Sequence, residues 1–202
     1  TKATLIGAQL GEADLAGATL RNANLTRASL VNANLVNANL TGTLLVHSDL
    51  TGSILELPQL LKAKICFTTL PTGKLTGCNL QGENLIGVVL SQSNLVGAKL
   101  SGANLSHSHL SQSDLSFSDL TDANLNYATL GGADLSNADL SRTNLSDSNL
   151  SGFQTILRGA KLTHANLNRA YLRGVDFSYS DLQSATLILA ELGGSLLNGL
   201  YY

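Results

Sequence analysis

The sequence reads ADLAG at residues 13–17 and ANLSH at residues 103–107, and the same five-residue pattern fills most of the chain. A small residue comes first, then Asp or Asn, then Leu, and two mostly polar or small residues complete the unit. The Leu returns at every fifth position from Leu5 to Leu150, with Ile65 as its one substitute. This period decides which kinds of structure the chain can form.

A spacing of five excludes the ordinary regular elements. An amphipathic helix places apolar residues three and four apart, and a half-buried strand alternates with a period of two. A chain that buries one large residue in five can turn a corner after each short extended stretch, and four corners close a square coil of about twenty residues. Stacked coils would pair their backbones like neighbouring strands, about 4.8 Å apart. The pattern therefore predicts a solenoid.

The repeating unit closely resembles the Ala-(Asp/Asn)-Leu-x-x pattern of the pentapeptide repeat proteins, and the resemblance covers essentially the whole chain. It implies an all-β fold, a right-handed quadrilateral β-helix of about ten coils with four five-residue faces each. We therefore expect a single solenoid domain over residues 1–202. Residues 60–71 also resemble segments of cyanobacterial members of this family.

The first departure from the pattern lies at about residues 54–74. Its outward positions are apolar: Ile54, Leu57, Leu61 and Phe67. Pro58 removes a backbone donor and suits the first turn of a short helix, whereas the step of five continues through the segment. A looped-out helical segment and a distorted coil both remain open. Because an exposed apolar cluster needs cover, these side chains are a candidate contact for a protein partner.

The second departure lies at residues 151–156, where the step from Leu150 to the next central residue, Leu157, is seven. Two inserted residues near Phe153 and Gln154 predict a bulge that swings Phe153 out or tucks it over a corner. The register on both sides is regular. A coil of about twenty residues with this insertion predicts one outward column. Its members are Lys99, Asp119, Asp139, Lys161 and Asp181.

The chain has two cysteines, Cys66 and Cys78. Cys78 takes the small inward position of its unit, where a buried small residue is expected. Cys66 follows the central Ile65 and is expected to point outward. A disulfide needs β-carbons within about 4 Å, which one inward and one outward site seldom allow. We therefore expect free thiols.

The sequence offers little for catalysis. His107 and His109 flank the inward Ser108, and both imidazoles are expected to face solvent instead of holding a metal ion. His47 and His164 have no expected partners in register. The Asp and Asn residues before each Leu are expected to cap backbone donors at the corners. No catalytic residue, metal or cofactor is predicted, and the chain is not expected to be an enzyme.

Charge and hydropathy narrow the partner classes. The net charge is −2 and the basic residues are spread along the chain, which argues against nucleic-acid binding. No apolar run reaches the roughly 18 to 20 residues that span a bilayer, so a soluble protein without membrane insertion is expected. The cytoplasm is the first expectation for its location. The periplasm and the thylakoid lumen remain open, because a signal could precede Thr1.

A regular solenoid predicts a non-catalytic structural or protein–protein interaction rod, because its faces are broad and even. The resemblance implies one alternative, a DNA-mimicking protein that binds type II topoisomerases and confers quinolone protection. That alternative needs an unbroken acidic stripe, which a net charge of −2 disfavours. An end-to-end homodimer contact or a cap is expected near the end of the chain, at Leu196, Leu200, Tyr201 and Tyr202.

Overall fold

The computed structural model describes residues 3–73 and 77–202, with every side chain in these ranges except that of Leu57. In the regular coils, the residue before the central Leu forms a parallel bridge with its counterpart in the next coil, as Thr4 does with Asn24. The central amide also donates to the next coil, from Leu5 N to Asn24 O at 2.8 Å. The predicted twenty-residue coil is thus confirmed. The number of coils, about ten, stays a prediction.

Each regular unit ends in a two-residue turn whose second residue commonly has a positive φ. Values of 60° at Glu12 and 57° at His107 lie in the left-handed region. The Asp or Asn before the Leu supports the turn. Asp114 Oδ1 accepts hydrogen bonds from the Ser116 N–H at 3.0 Å and from the Ser116 hydroxyl at 2.7 Å. These side chains cap the corners, as the sequence predicts.

The core consists of stacked central side chains with small residues beside them. Leu105 and Leu125 are fully buried, and so are Ala103 and Ala123, which precede them by two positions. Phe177, the largest of the fully buried side chains, also takes a central position. Burial of one Leu side chain contributes about 1.5 to 3 kcal/mol before the cost of ordering the chain. Stability therefore accumulates from many similar layers.

The chain groups into two compact units, Thr1–Asn79 and Leu80–Tyr202. Both units use the same parallel pairing, as in Asn24 with Leu44 in the first and Asn104 with Asn124 in the second. The expectation of a single domain over residues 1–202 stays a prediction.

The first unit contains the irregular segment. Strand β1, Leu44–Val46, pairs in parallel with strand β2, Lys64–Cys66, and helix α1, Leu57–Leu60, lies between them in sequence. Pro58 fits the first turn of α1, where the helix needs no amide donor. Leu60 still packs in the core. The segment is a coil distorted by one helical turn. No helix among the described residues is long and apolar enough to cross a membrane.

The side chain of Gln59 replaces backbone pairing that α1 removes. In a regular coil, the residue before the central Leu donates its amide to the preceding coil, as Asn39 N does at 2.8 Å. The amide of Gln59 donates within the segment instead, to Glu56 O at 3.0 Å. Its side-chain Nε2 reaches two carbonyls of the preceding coil, Ala38 O at 2.8 Å and Leu35 O at 3.0 Å. Gln59 therefore fastens α1 to the solenoid.

The expectation of free thiols is wrong, because Cys66 and Cys78 form a disulfide with their Cα atoms 4.0 Å apart. Cys66, expected to point outward, is buried, and so is Cys78. The reason is a local reversal of the chain. Cys66 pairs with Cys78 in an antiparallel bridge, and Phe67 N donates to Gly77 O at 3.3 Å. The inward and outward positions of a parallel coil do not apply across this reversal.

The second unit changes register at residues 151–156. Asp134 pairs with Ile156, two residues beyond the spacing of twenty that Thr129 and Asn149 still keep. Phe153, in the inserted turn, is 91% exposed and so swings outward. One edge of its ring covers Gly174, since a β-carbon added there would lie 3.1 Å from Phe153 Cδ1.

The predicted column of charged residues is confirmed. Successive parallel bridges join Lys99, Asp119, Asp139, Lys161 and Asp181. Lys161 Nζ lies 3.9 Å from Asp139 Oδ2. An exposed pair of this kind contributes about 0 to 1 kcal/mol, so Lys161 offsets only part of the repulsion between the stacked aspartates.

Candidate interaction surfaces

The irregular segment exposes two of the four apolar side chains expected to contact a partner. Ile54 is 60% exposed and Leu61 is 75% exposed. Phe67 is half-buried, because its ring stacks on His47 with centroids 5.4 Å apart. The expectation that His47 lacks a partner is therefore wrong. The side chain of Leu57 lies outside the described residues.

Register explains the two exposed side chains. Ile54 pairs with Asn34, so it stands at the outward bridging position that Asp or Asn usually fills. Leu61 follows the buried Leu60 and begins the turn after α1. Both side chains are apolar at positions where the regular unit is mostly polar or small. The segment therefore carries exposed apolar surface that its own coil does not require.

The last units form a second apolar surface. Leu196, Tyr201 and Tyr202 are exposed, and Leu200 is half-buried. Leu200 and Tyr202 help to line a recess of about 400 Å³, together with Leu187, Leu192 and Leu197. Leu196 and Tyr201 pair with Asp176 and Asp181 and so stand in outward columns. The structure thus brings two of the four predicted end residues into one apolar recess.

A third exposed apolar surface, formed by two adjacent residues, was not anticipated from the sequence. Ile188 is 67% exposed and Leu189 is 78% exposed. They occupy the two turn positions after the central Leu187. An apolar residue at both turn positions is the signal that could have identified them.

Ion pairs between consecutive coils were also missed. Arg142 donates two hydrogen bonds to the Asp122 carboxylate, both at 2.7 Å, and Arg169 donates two to Asp147, both at 2.6 Å. The bond from Arg142 holds the pKa of Asp122 below its ordinary value, and Arg169 has the same effect on the pKa of Asp147. The signal was available, because second turn residues stack at the spacing of one coil.

His107 and His109 each contact a residue of the next coil. His107 stacks on Tyr127 with ring centroids 5.0 Å apart, and His109 Nδ1 lies 3.3 Å from Thr129 Oγ1. Each imidazole therefore contacts the next coil in its own column. Within residues 3–73 and 77–202, no group of three or more His, Cys, Asp or Glu side chains is placed to hold a metal ion.

A ladder of asparagines has a structural role. Nδ2 of Asn124 donates to Asn104 Oδ1 at 3.3 Å, and Asn144 repeats this contact to Asn124 at 3.2 Å. Asn166 extends the ladder to Asn144 Oδ1 at 3.1 Å. Asn104 Oδ1 also accepts the Ser106 N–H at 3.2 Å. These amides join the coils and cap the turns.

Aspartates stand in two outward columns on successive faces of the second unit. One column contains Asp114 and Asp134 and continues with Ile156. The other contains Asp119 and Asp139 and continues with Lys161. The acidic character of both columns is therefore interrupted at the insertion.

Parallel twenty-residue coils that bury a central apolar side chain and a small residue in most units define a β-helical repeat protein. The model of the pentapeptide repeats family matches residues 3–42, 20–56, 74–112, 113–152 and 155–194. The chain belongs to the pentapeptide repeat family, whose fold is a right-handed quadrilateral β-helix. None of the curated proteins matches the chain.

Solved structures of this family are similar to the chain. HetL, a pentapeptide repeat protein involved in heterocyst differentiation regulation in the cyanobacterium Nostoc sp. strain PCC 7120, is 30% identical over 98% of this chain and 87% of HetL, with a TM-score of 0.44. Rfr23 from the cyanobacterium Cyanothece 51142 is 26% identical over 83% of this chain and 90% of Rfr23, at a TM-score of 0.26. QnrB1, a plasmid-mediated fluoroquinolone resistance protein, is 16% identical over 99% of this chain and 89% of QnrB1, at a TM-score of 0.37.

Proposed function

We propose that the chain is a non-catalytic scaffold that binds a protein partner through the irregular segment of its first unit. The observation that carries this proposal is the exposure of Ile54 and Leu61. Water leaves such side chains when a partner covers them, which favours binding in proportion to the apolar area buried. Leu57 and Phe67, which the sequence also predicts at apolar outward positions of the segment, belong to the proposed contact.

The segment presents this contact on a constrained backbone. Gln59 fastens α1 to the preceding coil, and the disulfide between Cys66 and Cys78 closes the chain reversal after β2. A surface that is ordered before binding loses less conformational entropy when the partner arrives. These constraints support an interaction role for the segment.

The test compares the partners captured by three immobilised proteins. They are the wild type, a double variant with Ile54→Ser and Leu61→Ser, and a control with Val36→Ser and Ile86→Ser. The control residues are 38% and 44% exposed in regular coils. We expect a partner that the wild type and the control retain and the double variant loses. Equal loss from both variants, or equal retention by both, would contradict the proposal.

We also propose a contact between two copies of the chain through Leu196, Leu200, Tyr201 and Tyr202. The apolar recess of about 400 Å³ beside Leu200 and Tyr202 supports it, because its lining is covered only when another surface packs there. Sedimentation velocity over a range of concentrations tests the contact. A dimer is expected for the wild type and a monomer for the variant with Leu200→Asp and Tyr202→Asp. A monomeric wild type would contradict this contact.

The DNA-mimicking alternative has less support. Competition for a DNA-binding surface requires a continuous negative field, and Ile156 and Lys161 interrupt the two aspartate columns. A supercoiling assay with a type II topoisomerase provides the test. Inhibition by the wild type that is lost with Asp114→Asn and Asp134→Asn would favour the alternative over the scaffold.

The disulfide supports a compartment different from the first expectation. Disulfides persist in oxidising compartments and are rare in the cytosol, where cellular thiols reduce them. The Cys66–Cys78 bond therefore favours the periplasm or the thylakoid lumen over the cytoplasm. Alkylation of a freshly made cell extract, followed by mass spectrometry, tests this point. Alkylation of both cysteines without added reductant would show that they are free thiols in the cell and would favour the cytoplasm.

A further inference from the structure

A recess of about 320 Å³ lies between α1 and the preceding coil of the first unit. It is present because α1 leaves the ladder where a regular coil would stay paired. Asn37, Leu40, Glu56, Gln59 and Lys62 are among the residues that line it. The lining is mainly polar, unlike the apolar recess of the second unit. Its chemistry is independent of the apolar partner contact proposed above.

The first observation about this recess is a buried backbone donor. In a regular coil the central amide donates to the next coil, as Leu20 N does to Asn39 O at 3.0 Å. The corresponding acceptor for Leu40 N would be Gln59 O, but α1 turns that carbonyl toward Lys62 N, 3.2 Å away. Within the described part of the chain, no acceptor takes the Leu40 N–H. Leu40 is only 1% exposed. Buried donors without a partner are rare, and they mark positions where a ligand or a water binds.

The second observation is a pair of opposite charges on the same recess. Lys62 and Glu56 are both exposed, and neither side chain has an ion pair or a hydrogen bond within the described residues. The side chain of Gln59 differs, because its Oε1 accepts the Glu56 N–H at 2.8 Å while its Nε2 donates to the preceding coil. Gln59 thus forms a fixed wall, and the two charged groups remain available to a ligand.

We propose that this recess binds a small zwitterion of the class of free α-amino acids. The ligand carboxylate accepts hydrogen bonds from the Leu40 N–H and from Lys62 Nζ, and the ligand ammonium faces the Glu56 carboxylate. The Glu56 carboxylate would repel a simple anion, and the Lys62 ammonium would repel a simple cation. A ligand that carries both charges therefore fits best. Ligand sites span about 300 to 1,000 Å³, and this recess lies at the small end of that range.

Nuclear magnetic resonance of the ¹⁵N-labelled full chain tests the proposal directly. The probes are individual L-amino acids, with acetate and ethylamine as carriers of one charge each. We expect at least one amino acid to shift the Leu40 amide resonance in a saturable way, and the two controls to bind at least about tenfold more weakly. A Leu40 resonance that no amino acid moves at concentrations up to about 100 mM would overturn the proposal. Equal binding of acetate would overturn it as well.

Variants then assign the two charges. Lys62→Gln and Glu56→Gln should each weaken amino-acid binding about tenfold, because each removes one charge-assisted contact. Lys99→Gln and Glu12→Gln, which change exposed charges that do not line the recess, are the matched controls and should bind like the wild type. Unchanged affinity in Lys62→Gln would contradict the assignment. The wild-type titration remains decisive even if a variant fails to fold.

Discussion

The regular coils of residues 83–150 and the described part of the irregular segment satisfy their backbone hydrogen bonds in different ways. In the regular coils, backbone groups of neighbouring coils pair with one another, as when Asn104 N donates to Glu83 O at 2.9 Å, and Asp or Asn side chains cap the turns. In the irregular segment, side chains and a covalent bond take over part of this work. Gln59 Nε2 donates to a carbonyl of the preceding coil, and a disulfide joins Cys66 to Cys78.

This difference teaches where binding chemistry can arise in a solenoid. A continuous ladder pairs most of the backbone donors at the bridging and central positions, and it leaves an even surface. Where α1 interrupts the ladder, the structure gains a recess, a donor at Leu40 without a described acceptor, and the exposed Leu61. The three features share one origin, so experiments that compare the two regions test them together.

The largest effect is expected from the core of the regular coils. Leu125→Ala should lower the free energy of unfolding by about 2 to 5 kcal/mol, because the fully buried side chain leaves a cavity between coils. Leu61→Ala, in the irregular segment, should change it by no more than about 0.5 kcal/mol, since Leu61 is exposed. Unfolding in guanidinium measures both values. Similar losses from the two variants would mean that Leu61 is packed in solution.

An intermediate effect is expected from the disulfide. Cys66→Ala with Cys78→Ala should lower stability by about 3 kcal/mol, because the bond closes a short loop that is otherwise free in the unfolded chain. Alanine suits both buried positions, since it leaves no polar atom without a partner. Hydrogen exchange followed by mass spectrometry should show faster exchange at residues 64–71 and unchanged exchange at residues 104–150. An equal change in exchange rate at residues 64–71 and at residues 104–150 would show that the bond does not stabilise the segment locally.

The smallest effect is expected from an ion pair of the regular coils. The bond from Arg142 depresses the pKa of Asp122 in the folded state. The stabilisation of the fold by this pair is therefore fully present above the pKa that Asp122 has in the unfolded chain, and it is lost as pH falls through the pKa of Asp122 in the folded state. When the pH is lowered from 7 to about 3, the melting temperature of Arg142→Met should therefore fall less than that of the wild type. Arg21→Met is the control, because no carboxylate partner of Arg21 lies within the described residues. Parallel pH curves for all three proteins would contradict this role of the pair.

Much of the regular fold could be predicted from spacing alone. The step of five places Lys99, Asp119 and Asp139 in one column because each coil repeats the same geometry. The disulfide could not be predicted in this way. It depends on a chain reversal that makes Cys66 and Cys78 antiparallel neighbours. The spacing of five residues describes only parallel neighbours and so does not predict this reversal.

The candidate surfaces were predictable only in part, and for a similar reason. Exposure of Ile54 and Leu61 follows from their register, which the sequence contains. That the Leu40 amide has no acceptor among the described residues depends instead on the direction in which α1 turns one carbonyl, and only the structure shows that direction. The pair of Asp122 with Arg142 lay within reach, because counting twenty residues from one turn to the next identifies it.

The left-handed corners limit which substitutions the surface can accept. Among the described residues other than glycine with positive φ, none is Val, Ile or Thr, although the set includes Phe117, Asp122 and Arg142. Branching at the β-carbon crowds the backbone in this conformation, whereas charge, aromaticity and length do not. A corner can therefore exchange one partner chemistry for another during evolution while the leucine core stays the same. In this solenoid, branching at the β-carbon therefore limits which residues can take the second turn position, and so which surface chemistry the corners can present.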